Sequence, residues 1–75
     1  MKYADRVTVD PEILVGKPVI TGTRMSVEFI LELLANGWTY EEILNNYPQL
    51  VQEDILAAIE YSLEVMKEEK VYNFG

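Results

Sequence analysis

Apolar positions recur along this chain at two different periods, with the change close to residue 26. Ahead of it, Val7 and Val9 alternate with Arg6 and Thr8, a period of two that predicts a short strand over 6–10, ended by Pro11. Pro18-Val-Ile-Thr21 predicts a second short strand. Pro18 lacks an N–H and therefore fits a first or edge position. Between the two, residues 12–15 suit a turn or a helical half-turn, and Gly22 marks a turn after the second strand.

Behind residue 26 the period becomes helical. Ser26 is a good N-cap, and from Val27 to Ala35 only Glu28 and Glu32 are polar, sharing with Asn36 one narrow face. This predicts a largely buried first helix stopped by Gly37. Thr39-x-x-Glu42 is a capping box, so a second helix begins at Tyr40, and Pro48 keeps it from running past Tyr47. A third helix begins near Gln52, with Glu53 and Asp54 at its start and Lys67 and Lys70 near its end, as the helix dipole favours. Val51 is a poor N-cap, so Gln52 or a tertiary contact has to cover that end. On the helix-three wheel, Ile55, Leu56, Ile59, Leu63 and Met66 form one stripe, and Ala58, Tyr61, Ser62 and Val65 form another beside it. Two stripes are more than so small a domain buries on its own, which points to self-association as a homodimer.

The expected fold is therefore mainly α: a short N-terminal β element followed by three helices in a helix-turn-helix arrangement. The 75 residues make a single domain, with an extended arm over 1–25, a three-helix unit over 26–70 and an aromatic tail over 71–75. Trp38, between Gly37 and the Thr39 cap, serves either as a staple between the first two helices or as a plain core aromatic. No apolar run approaches the ~20 residues of a membrane span. The charged start (Lys2, Asp5, Arg6) does not read as a signal peptide, so a cytoplasmic protein is expected.

Composition narrows the chemistry. Without cysteine there is neither a disulfide framework nor a thiolate metal site, and without histidine the commonest general base and metal ligand is missing. Glu60, Glu64 and Glu68 recur at helical spacing and read as a solvated face. The expectation is no enzyme, no metal and no cofactor. Charge divides as the periods do: residues 1–26 carry a net +1, and residues 27–75 a net −8. Cations meeting phosphates dominate nucleic-acid binding, so the acidic rear disfavours DNA. The second and third helices have helix-turn-helix spacing, but Gln52, Glu53 and Asp54 would face a polyanion, which favours a packing unit over a base reader. Gly22-Thr23-Arg24, with Lys17 across the hairpin, is the one place for an anion. The competing reading has Thr23 capping locally and Arg24 pairing with Asp10, Glu12 or Glu28. The tail Val71-Tyr-Asn-Phe74 either folds back or anchors in a partner.

Asp10-Pro-x-x-x-x-Gly16-Lys-Pro-Val-Ile-x-Gly22-Thr-Arg24, then Gly37, Glu41-Glu-Ile-Leu44, Tyr47-Pro48 and Asp54-Ile-x-x-Ala-Ile59, resemble the prokaryotic domain-of-unknown-function family 433 over about residues 6–65. The resemblance implies a homeodomain-like three-helix unit with an N-terminal β element and an antitoxin-like role beside a PIN-like ribonuclease toxin. It implies no catalytic residues. The chain departs from the pattern at Val51, where Thr or Ser often caps helix three, and in its acidity. Acidity weakens operator binding more than toxin binding, because an acidic surface suits a basic nuclease cleft. The expected function is a non-enzymatic antitoxin that neutralises such a partner, with autoregulatory DNA binding as an addition. The alternatives are a stand-alone DNA-binding regulator and a homo-oligomeric interaction module. The residues expected at a nucleic-acid or anion contact are Lys17, Thr23 and Arg24; those expected at a protein or dimer contact are Tyr61, Val65, Tyr72 and Phe74.

Overall fold

Three helices carry the domain, and a two-stranded hairpin leans against them. The computed structural model describes residues 2–68; the expected contact residues Tyr72 and Phe74, with the rest of the tail, lie outside the described residues. A 3-10 turn at Ala4–Arg6 precedes strand β1 (Val7–Val9). After a loop containing a second 3-10 turn, Leu14–Gly16, come strand β2 (Pro18–Ile20) and the helices α1 (Val27–Ala35), α2 (Tyr40–Asn46) and α3 (Gln52–Glu68). The strands pair antiparallel, Val7 with Ile20, Thr8 with Val19 and Val9 with Pro18. Pro18 occupies the first position of its strand, where a missing N–H costs the ladder nothing.

The helix ends follow their local chemistry. The Ser26 hydroxyl accepts the Phe29 N–H at 2.9 Å, opening α1. At α2, the Thr39 hydroxyl accepts the Glu42 N–H at 3.1 Å while the Glu42 carboxylate accepts the Thr39 N–H at 2.8 Å, so both halves of the capping box are made. Gly37, with φ at 91°, takes the left-handed turn that ends α1.

Ile20 from β2, Val27, Ile30 and Leu33 from α1, Ile43 from α2, Leu50 from the second interhelical turn, and Ile55 and Ala58 from α3 meet in one core. Trp38 is half-buried rather than central. Its ring lies 6.3 Å from that of Tyr47, which in turn meets Phe29 edge-on at 5.6 Å. That places Trp38 as the staple between the end of α1 and the end of α2.

The wheel of α3 resolves into an inner and an outer face. Ile55, Ala57 and Ala58 are buried and Tyr61 packs against the core. Ile59, Leu63 and Met66 are 38%, 49% and 65% exposed. Of the two sequence stripes, the one containing Leu63 and Met66 looks outward beyond Ile55, while Tyr61 belongs to the domain's own interior. Among the described residues, no helix is long and apolar enough to cross a membrane.

Candidate functional site

The start of α3 is held from the far end of the chain. Val51 offers no side-chain acceptor there, and the gap is filled from Asp54, whose Oδ2 accepts the Val51 N–H at 2.9 Å. Its other oxygen, Oδ1, accepts from Arg6 Nη1 at 2.9 Å across 48 positions of sequence. Asp54 is only 5% exposed. One carboxylate therefore caps a helix and ties the N-terminal arm to it, and the same bond raises the pKa of the Arg6 guanidinium still further. The expected source, Gln52 or a tertiary contact, gives way to a local cap from Asp54 in the helix's own first turn, and the tertiary contact from Arg6 holds that capping carboxylate in place.

Nearly two turns further along α3, Glu60 Oε1 accepts the Tyr3 N–H at 2.8 Å. That backbone bond first, and one from the Lys2 N–H second, hold the Glu60 carboxyl below its ordinary value of 4.5. A depressed carboxyl stabilises the fold above its unfolded value and loses that contribution as pH falls through the folded value. Glu60→Gln should therefore melt below the wild type at pH 6, with the gap closing as the pH is lowered well beneath 4.5. Thermal unfolding followed by circular dichroism across that range checks it; a gap independent of pH would rule out the ionised carboxylate as its cause.

The three residues expected at an anion contact do not share one task. The Thr23 hydroxyl donates to the Ile20 carbonyl at 2.8 Å and accepts the Met25 N–H at 3.0 Å, so it builds the turn into α1. Lys17 Nζ bonds Glu28 Oε1 at 3.0 Å, taking the carboxylate that was one of three candidates for Arg24. Arg24 is exposed and makes no ion pair among the described residues. Of the expected protein contacts, Tyr61 packs inward, Val65 is half-buried, and the face offered to solvent is that of Ile59, Leu63 and Met66.

Residues 12–15, expected as a turn or a helical half-turn between the strands, lead into the 3-10 turn at Leu14–Gly16, but its left-handed backbone was not foreseen. Leu14, Val15 and Gly16 take φ values of 51°, 57° and 81° in succession. Gly16 does this freely, but a β-branched valine in the left-handed region is strained. Val15 is also 93% exposed, so no burial offsets the strain. Asparagine tolerates this backbone, and Val15→Asn should raise stability by about 1 kcal/mol. Equilibrium denaturation in urea measures it, and a variant less stable than wild type would show that the valine is held by a contact. No sequence cue marks the left-handed Val15. Asp54, by contrast, sits where the acid of a half capping box belongs, three residues after Val51, and that spacing was a usable signal.

A family model described as "Protein of unknown function (DUF433)" matches residues 7–62, from β1 to the third turn of α3. Among solved structures, the chain is similar to a DUF433 member protein from Anabaena variabilis ATCC 29413. The two share 27% sequence identity and a TM-score of 0.78, over 89% of this chain and 70% of that one. No curated protein matches.

Proposed function

The chain belongs to the DUF433 family, a family of unknown function, and from that premise we propose that it is a non-enzymatic, antitoxin-like binding protein that neutralises a PIN-like nuclease partner. What supports this reading is where the charge is spent. Two of the four cations in the front of the chain, Arg6 and Lys17, are taken up by Asp54 and Glu28. Glu41, Glu42, Glu53 and Glu68 stand exposed on α2 and α3. The net charge of −7 is therefore presented by the helices, while much of the positive charge is neutralised internally. A nuclease that handles a polyanion needs a positive approach to its site, and such a surface draws this one in and holds its register.

The test is co-expression with the product of the adjacent gene, followed by affinity purification and light scattering. A stoichiometric complex that loosens as salt rises supports the proposal, and a protein that elutes alone at low salt sinks it. In this reading the protein works in the cytoplasm, with its partner.

A stand-alone DNA-binding regulator is the second reading, and Arg24, exposed and without an ion pair among the described residues, together with the α2–turn–α3 spacing favours it. It requires salt-dependent binding to upstream DNA that falls away in Lys17→Ala and Arg24→Ala. The acidic first turn of α3 argues against it, since the exposed Glu53 would stand where a recognition helix meets the groove.

A further inference from the structure

Independently of the nuclease reading, we propose that the protein pairs with a second copy of itself through the outer face of α3, the two helices running antiparallel. Leu56, Ile59, Leu63 and Met66 follow one another at spacings of three, four and three. That is the 3.5-residue repeat at which one helix packs lengthwise along another, with alternate side chains entering the gaps of the facing helix. The stripe is distinct from the face that serves the core. Ile59, Leu63 and Met66 are exposed and Leu56 is half-buried, while Ile55, Ala57 and Ala58 on the other side are closed off.

Charge chooses the occupant and its direction. The first turn of α3 carries Glu53 and Asp54, and the last described turn carries Lys67. Glu53 and Lys67 are both exposed and, being two heptads apart, flank the stripe on the same side. In an antiparallel pair centred between Ile59 and Leu63, Leu63 meets the partner's Ile59, Leu56 meets the partner's Met66, and Lys67 comes alongside the partner's Glu53 at both ends. The helix dipoles also oppose. A parallel pair would set acidic turn beside acidic turn and lysine beside lysine. The carboxylate nearest the two-fold axis, that of Glu60, is drawn back toward its own Tyr3 N–H and leaves the seam. The seam is short, about 15 Å of helix, well under a standard interface, so the expected dissociation constant is on the order of tens of micromolar.

Sedimentation equilibrium of the protein alone, from low micromolar to millimolar, is the test. The wild type should pass from monomer to dimer over that range. Leu63→Lys, at a half-exposed position, should remain a monomer throughout while melting near the wild type. Lys67→Glu should weaken the dimer about tenfold, and adding Glu53→Lys in the same chain should restore it. Because the chain has no cysteine, introduced thiols report the direction. Ile59→Cys mixed with Leu63→Cys should form a mixed disulfide in preference to either variant with itself. A wild-type monomer at every concentration overturns the proposal. Unchanged dimerisation in Leu63→Lys, or Leu63→Cys bonding preferentially to itself, overturns it as well.

Discussion

Ile30→Ala is expected to leave the protein largely unfolded at 37 °C. Ile30 is fully buried on the inner face of α1, in the cluster that joins β2, α2 and α3. Truncating such a side chain removes its transfer energy and leaves a cavity that the surroundings fill only in part, a loss of about 3–4 kcal/mol. A 75-residue domain with no disulfide has roughly 5 kcal/mol in hand. The variant is then left with a residue of stability too small to survive warming. Ile30→Val, which deletes one methylene, keeps the fold and loses about 1 kcal/mol, or about 4–8 °C in melting temperature for a domain of this size. Thermal melts of the pair give the check. If Ile30→Ala melts within a few degrees of the wild type, Ile30 does not carry the core in this way.

The second large effect belongs to Asp54. Both of its oxygens are used, one by the Val51 N–H at the start of α3 and one by Arg6. Asp54→Ala removes a helix cap and the acceptor of a charge-assisted bond from a nearly buried position, and is expected to lose about 2 kcal/mol. That corresponds to a fall of about 8–16 °C in melting temperature. Asp54→Asn separates the two roles, since an amide oxygen still accepts the Val51 N–H but carries no charge for Arg6. It should fall between wild type and Asp54→Ala. An Asp54→Asn protein as stable as the wild type would mean that the link to Arg6 adds nothing, and one as unstable as Asp54→Ala that the cap adds nothing.

How far the sequence speaks for this fold depends on how local each signal is. Ser26 and Thr39-x-x-Glu42 announce two helix starts because donor and acceptor lie within three residues of each other. Pro18 and Gly22 work the same way, through their own backbone limits. The Arg6–Asp54 bond spans most of the chain and leaves no periodic trace, so the sequence offers Asp54 as a cap for Val51 but not its link to Arg6. The wheel of α3 fails for another reason. Both its stripes are apolar at helical spacing, and only the packing of the arm and α1 decides that Tyr61 turns inward while Leu63 and Met66 face out. At the anion candidate, Lys17 and Arg24 are interchangeable as partners for Glu28 on paper. Geometry gives Glu28 to Lys17 and leaves Arg24 to solvent. The backbone at Leu14 and Val15 runs against residue preference, and no rule of pattern anticipates it.

The dependence of Tyr3 and Arg6 on Glu60 and Asp54 also orders events in time. The arm is translated well before its anchors, because the carboxylates that hold it lie 57 and 48 residues downstream in α3. β1 can meet β2 early, but the segment before β1 has nothing to hold until α3 is complete. Native structure in the arm therefore waits for the translation of α3. A ribosome stalled before residue 54 would carry a nascent chain whose first residues remain open to protease, however well its hairpin and first helix had formed.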